Sequence, residues 1–414
     1  MTEWLVVRRV QPNRGDRRRD AAPIAKTATS SRPPSEITNR VALEQAPSRA
    51  QLPNPNEIGM VAGPMPVSLI APLVIEAKTA DGVLRDAKAA GAAWGLKMLG
   101  VDPKRFNGAG VKVAIIDTGI KRDHPAFAQL KGAIDEADFT CKPGGSFGNG
   151  VALDTDGHGT HCAGTICGGI VDGVQIGVAS KIERLFAAKA IGGTRGSAAL
   201  LDALNWAAYT TRADVISMSL GFDFVGYRKS LIAAKIHPDA ATSMALTAFR
   251  DNIRVFDAWM NELRARRKDG FDPLVVAASG NESGRPTFVV EKASPAEADS
   301  VIAVGAVDSA LAIAPFSNTN PTFVGPGVKV LSAGINQSLC VLSGTSMACP
   351  HIAGLAALYW QLARSSGPAA TAERVQRMMA TSAEEHFQEF RTHEPFDVGG
   401  GMPRAPGVRT TPPV

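Results

Sequence analysis

No segment of the 414 residues reaches the apolar length of a membrane span. The first twenty residues offer only the four-residue apolar run Trp4 to Val7, and no apolar stretch follows the pair Arg8-Arg9. Neither a general nor a twin-arginine secretion signal is therefore read. Cysteine is scarce, and its count of five is odd, which does not suit a disulfide framework. Both absences imply a reducing, cytoplasmic setting, or a secreted one if the true start lies upstream. The body of the chain also lacks a charge surplus. Residues 1–50 hold ten Lys/Arg and five Asp/Glu, which accounts for the whole net charge of +5; the rest holds 34 of each sign. The basic pI of about 9.0 thus describes an N-terminal arm and argues against a nucleic-acid-binding body.

What is present is a globular composition, 45% hydrophobic and 20% charged, in a chain long enough for a large core and more than one unit. Residues 11–56, rich in Arg, Pro, Ser, Ala and Asn, show no sustained hydrophobic period and read as an arm. Two apolar pieces bracket it, WLVVRRV and IGMVAGPMPVSLIAPLVI (58–75), which read as strands of a small N-terminal module. Residues 77–99 favour helix. After Gly108 come short, nearly continuous apolar runs: VKVAIID (111–117), VISMSLG (215–221) and LVVAASGN (274–281). Helical stretches such as SAALLDALNWAAYTTR (197–212) lie between them. The pattern predicts an α/β fold with a doubly wound, mostly parallel sheet flanked by helices. The stripe Leu246, Phe249, Ile253, Phe256, Met260 and Leu263 predicts a long crossover helix buried on that sheet.

Chemistry in such folds gathers where strands end in loops. Asp117 ends the first run, His158 lies in DTDGHGTHCAGTI, and Ser346 lies in SGTSMACPH. A serine hydroxyl near neutral pH needs a base to attack, and an imidazole oriented by a carboxylate can serve. Ser343, His161, His351 and Cys349 read as approach or packing residues, Cys162 as a buried small residue, and Asp154 and Asp156 as exposed loop acids. GTSMA is not the nucleophile elbow of the α/β-hydrolases.

The order Asp, His, Ser and the motifs IDTGI, GHGTHCAGT, SMSLG, AASGN and GTSMACPH resemble those of the subtilisin-like (S8) serine peptidases, over about residues 95–385. The resemblance implies a serine endopeptidase with Asp117, His158 and Ser346 as its triad. It implies oxyanion donors from the Ser346 backbone N–H and the Asn281 side chain. Glycines around His158 and Ser346 would let a substrate backbone come close. A protein or peptide substrate would bind as an extended strand along Ser219, Leu220 and Gly221 and around Gly196 and Ser197, with pockets lined by Leu220, Ala277, Ala278, Ser279 and Gly280. No acid stands among these, so no demand for Lys or Arg at the cut is expected. Phe222 would narrow the pocket, and Arg195 would favour acidic residues further from the cut. No cofactor is required. Many relatives bind calcium in a loop after the histidine helix, but here CGGIVDGVQIGVAS (167–180) places Ile170 and Val171 where polar ligands are expected, so that site is expected to be absent or weak. Residues 1–94 would form a propeptide-like region, 95–385 the catalytic domain and 386–414 a tail. The stretch from Gly221 to Asn281 is long for the family. A dedicated processing peptidase or transpeptidase acting on one partner would use the same residues; a non-catalytic peptide-binding protein on this fold would usually have a broken triad, and all four positions are intact. The sequence leaves oligomeric state open.

Overall fold

The computed structural model describes residues 2–10, 38–74, 76–367 and 369–408. In chain order, β1 (Thr2–Val10), β2 (Thr38–Ala46) and β3 (Ile58–Ala62) form an antiparallel sheet with β1 in the middle. Residues 11–37 of the expected arm lie outside the described residues. The rest of it is structured, contrary to expectation: β2 runs the length of β1. Val41 and Ala46 are its buried side chains among those described, and they lie on opposite faces, so no alternation stands out in the sequence.

An extended segment follows, carrying β4 (Val67–Leu69) and β5 (Leu73–Val74). The helix expected over 77–99 is two helices, α1 (Ala77–Ala90) and α2 (Trp94–Met98). Gly91, at φ 70°, ends the first, a left-handed cap that glycine adopts without steric cost. Ala87 of α1 and Leu96 of α2 lie in the main core of the larger body, so the packing boundary falls before Ala77 and not near 94.

The larger body is built on β6 (Lys112–Asp117), β7 (Ile134–Asp138), β8 (Ser146–Phe147), β11 (Arg184–Lys189), β12 (Val215–Met218), β14 (Leu274–Ala278), β15 (Val301–Val307) and β16 (Phe323–Pro326). The spatial order is β16-β15-β14-β12-β6-β11-β7-β8. All neighbours are parallel except the β7–β8 edge pair. A small hairpin, β9 (Ile170–Val171) with β10 (Val174–Gln175), and the strands β13 (Leu220–Phe222), β17 (Val330–Ala333) and β18 (Leu339–Ser343) stand apart from this sheet. One face is covered by α3 (His158–Cys167) and α7 (Thr345–Ser365), with α8 (Ala372–Glu385) packed on α7. The other carries α4 (Ser197–Asn205) and the C-terminal half of α6 (Pro238–Ala265). This is the doubly wound arrangement expected. Its central strand β6 carries Asp117 at its C-terminal end, between strands that run off to either side, the usual place for a site in such sheets.

The stripe on α6 is buried only in part. Phe256, Met260 and Leu263 are buried, whereas Leu246 is 57% exposed. The inserted stretch instead forms a hairpin of α5 (Phe224–Ala233) with α6, and the buried half of α6 serves two sheets at once. Phe256 and Trp259 share a core with Leu5, Val7, Val41 and Ala62 of the N-terminal sheet and with Ile216 and Val275 of the parallel one. The Val41 N–H donates to Glu262 at 2.7 Å and Asn252 Nδ2 to the Gly63 carbonyl at 2.9 Å. The expected tail from 386 also packs: Phe390, Val398, Met402 and Ala405 are buried in the main core, because apolar residues at these spacings lie against α7 and α8. Among the described residues no helix is long and apolar enough to cross a membrane.

Candidate active site

Asp117 and His158 meet from β6 and the first turn of α3. Asp117 Oδ1 accepts a 2.7 Å hydrogen bond from His158 Nδ1–H and another, also 2.7 Å, from the Thr118 N–H. Both side chains are about fully buried. The bond fixes the tautomer with Nε2 as acceptor, and Nε2 has no partner among the described residues. Burial disfavours the imidazolium, but the Asp117 charge and hydrogen bond, with Asp156 and Asp154 beyond, outweigh it and raise the His158 pKa above 6.5.

The turn that delivers His158 is organised by Asp154, which is buried and not an exposed acid as expected. Its carboxylate accepts from the N–H groups of Asp156, Gly157 and Thr160 and from the hydroxyls of Thr118 and Thr160, at 2.6–3.0 Å. Burial alone would raise its pKa; these donors lower it. The signal was present in the Asx-type spacing of DTDGHGT, since an Asp ahead of a helix start caps it. Gly159 serves the same junction: a Cβ there would stand 2.2 Å from the Gly119 carbonyl. Its bareness lets α3 approach the β6 turn, not a substrate.

Ser346 is the second residue of α7. Thr345 ties the helix start to Asn281: its N–H and hydroxyl both donate to Asn281 Oδ1, at 2.8 and 2.9 Å. Asn281 Nδ2 therefore points outward. Cys162, one turn along α3 from His158, lies 3.8 Å from His158 Nδ1 and 3.2 Å from the Ser346 carbonyl, so His158 and Ser346 flank one thiol. Burial, then the Asp117 charge, pushes that thiol's pKa up. His161 and His351 are buried and held neutral, their pKa values pushed down to about 3 and about 4 by burial. They pack, as expected.

The chain itself crosses this site. β4 pairs antiparallel with β13, Leu220 opposite Leu69, Gly221 opposite Ser68 and Phe222 opposite Val67. The Ile70 N–H donates to the Ser219 carbonyl at 3.3 Å. Ser346 Oγ donates to the Ile70 carbonyl at 2.7 Å, and Asn281 Nδ2 donates to the Ala71 carbonyl at 2.9 Å. Beyond Ala71 the segment pairs through β5 with β18. Upstream, Met65 exchanges bonds with Ser197: the Ser197 N–H donates to the Met65 carbonyl at 2.9 Å and the Met65 N–H to Ser197 Oγ at 3.0 Å. Gly196, at φ 53°, allows this, since a Cβ there would stand 2.1 Å from the Met65 carbonyl. Ser219, Leu220, Gly221, Phe222, Gly196 and Ser197 thus all meet one extended segment. Ala278, Ser279 and Gly280 lead from β14 to Asn281; the Ser279 N–H bonds to Val304 and the Gly280 N–H to Thr345.

Ile70 itself is buried, and a Cβ built on Gly221 would lie 3.9 Å from it and 3.8 Å from Ala293. Phe222 lies away from Ile70, opposite Val67, with its ring 6.4 Å from that of Phe249. Arg195 does not face a free cleft. It is buried, forked onto Glu3 of β1 at 2.6 and 2.9 Å and bonded to Asp202 at 2.8 Å.

A profile of the subtilase family matches residues 108–401. The chain belongs to the subtilase family. It is 36% identical over 274 residues to a cuticle-degrading serine protease of Arthrobotrys oligospora, an alignment covering 64% of this chain and 55% of that one. It is 34% identical over 261 residues to the major intracellular serine protease of Bacillus subtilis, covering 62% and 70%. To subtilisin DY of Bacillus licheniformis it is 33% identical over 289 residues, covering 68% and 87%. The match thus spans little more than half the length of the fungal relative. In this subtilase's loop after α3, Gln175 Nε2 donates to the Gly168 and Gly177 carbonyls at 3.0 and 2.9 Å, and Gln129 Nε2 to the Cys167 carbonyl at 2.8 Å.

An NMR titration of His158 is expected to show a midpoint above pH 6.5, with the neutral imidazole forming as pH rises through it. Asp117→Asn removes the charge that raises it and moves the midpoint down. A wild-type midpoint below 6, or one that Asp117→Asn leaves in place, contradicts this electrostatic account.

Proposed function

We propose that the chain is a serine endopeptidase held in a latent state by its own N-terminal region. The observation that carries this reading is the Ile70 carbonyl lying on Ser346 Oγ while the backbone before it pairs with β13. An enzyme that hydrolyses peptide bonds must hold a substrate's main chain in this way, and strand addition does so with little regard to side chains. In the reaction Ser346 Oγ attacks the carbonyl carbon, His158 Nε2 takes the proton and later gives it to the leaving amine, and Asp117 holds the imidazole and stabilises its charged form. The oxyanion is received by Asn281 Nδ2 and the Ser346 N–H, one of the amides in the first turn of α7 that lack an intrahelical acceptor.

The strap from Met65 to Val74 is bound as a ligand and not as a substrate. Asn281 Nδ2, the oxyanion donor, is engaged by the Ala71 carbonyl, one residue beyond the bond that Ser346 meets. Ser346 Oγ faces the oxygen of Ile70 and not its carbon. The sheet β1–β3, anchored by Glu3 on Arg195 and by Val41 on Glu262, keeps the strap in place. The N-terminal sheet and the strap thus supply an inhibitory module, and release of the strap frees a cleft for medium aliphatic residues such as Ile70 before the cut. The carbonyls around the β9–β10 hairpin are met by glutamine amides, so no calcium is needed there.

Hydrolysis of an unstructured protein substrate is expected to rise several-fold in Ile70→Asp, because a carboxylate is costly in the apolar site of Ile70. Ser346→Ala in that background should remove at least about a thousandfold of the rate. Hydrolysis that survives Ser346→Ala contradicts the nucleophile; an unchanged rate in Ile70→Asp contradicts the strap. Excess chelator is expected to leave the thermal midpoint unchanged, and a calcium-dependent rise of several degrees would show a bound ion stabilising the fold.

A further inference from the structure

We propose that Ser219 and Cys162 are positioning residues that hold the backbone of Ser346, through a carbonyl that the helix itself leaves open. α7 contains a proline at position 350, four residues after Ser346. A helical carbonyl at Ser346 would normally accept from the N–H of residue 350, and proline has none. The ring also presses against the carbonyl four residues back, turning it away from the helix axis. A buried carbonyl without a donor is costly. Here two side chains from two other elements supply donors: the Cys162 thiol on α3 at 3.2 Å and the Ser219 hydroxyl, between β12 and β13, at 3.3 Å. A carbonyl oxygen has two lone pairs, and two donors fill them. The thiol is fully buried and protonated, as a donor must be.

The arrangement ties three parts of the site to one atom. Cys162 rides on the helix that begins with His158, so its bond sets Ser346 against the imidazole. Ser219 is bonded twice over: its hydroxyl holds the Ser346 carbonyl while its own carbonyl receives the Ile70 N–H. The residue that docks the ligand's main chain at the cut therefore also holds the backbone of the residue that meets the next carbonyl. A fixed first turn of α7 keeps Oγ and the Ser346 N–H in register with the bound peptide. A turn free to shift by a fraction of an ångström loses that alignment, to which rates respond steeply.

This inference rests on the reading of Ser346 as nucleophile. The test measures kcat and KM on one peptide substrate for the full chain carrying Ile70→Asp, with Ser219→Ala, Cys162→Ala, both together, Ser219→Thr and Cys162→Ser. Ser219→Ala keeps the backbone carbonyl that binds substrate, so KM is expected to stay within about threefold. Each alanine variant is expected to lower kcat by about threefold to tenfold, and the pair by about a hundredfold, since only the pair leaves the carbonyl with no donor. Ser219→Thr and Cys162→Ser, which keep a donor, should recover most of the loss, which a packing defect alone would not allow. A double variant with undiminished kcat beside an active parent overturns this inference, as does a loss that the donor-retaining variants fail to recover. A parent that neither hydrolyses the peptide nor reacts with a fluorophosphonate overturns the reading on which it rests.

Discussion

A carboxylate buried at the end of a β-strand must be paired, and in this chain the pairing of Asp117 with His158 organises what surrounds it. The strand end supplies one partner and the first turn of α3 the other, so the loop between must close tightly. Asp154 closes it with five hydrogen bonds, and Gly159 allows the backbones to touch. The ion pair is worth little as a source of stability, since burying both groups costs about what their attraction returns. Its consequence is chemical: an imidazole of fixed tautomer, with Nε2 left unpartnered among the described residues.

The second constraint is covalent. The strap and the site belong to one chain, so its few main-chain bonds act at an effective concentration on the order of millimolar or more. Modest contacts then suffice to exclude a dissolved peptide. The strap is reinforced at a distance, by the fork of Glu3 on Arg195 and by α6, whose buried half packs the N-terminal sheet and the parallel sheet into one core. The long insertion before Asn281 thereby joins the N-terminal sheet to the body. The carbonyl of Ile70 stands at Ser346, while Asn281 Nδ2 is engaged by the Ala71 carbonyl, one residue further along the strap.

The parallel sheet and the pairing of Asp117 with His158 were legible in the sequence. Continuous apolar strands have few other fates, and the residues around Asp117, His158 and Ser346 form motifs because backbone turns demand glycine, threonine and small side chains at set places. What was not legible shares a cause. The strap binds through its main chain, and SLIAPLVI carries no side chain that announces this. β2 hides because its buried residues, Val41 and Ala46, fall on opposite faces and leave no alternation to read. Asp154 looks like any loop acid until the N–H groups it receives are folded around it. Arg195 appeared free to meet substrate, because its partner Glu3 lies 192 positions away. The residues from Phe387 onward looked like a tail because their apolar positions are sparse; Phe390, Val398, Met402 and Ala405 are nonetheless buried in the main core.

The central claim is that an intact serine nucleophile lies under the chain's own strap. Peptide mapping by mass spectrometry after a short exposure to a fluorophosphonate tests it most directly, with the full chain compared to its Ile70→Asp variant. The account predicts an adduct on Ser346 that forms slowly in the full chain and several-fold faster in the variant. An adduct at another residue, or equal labelling of Ser346 in both proteins, would contradict it.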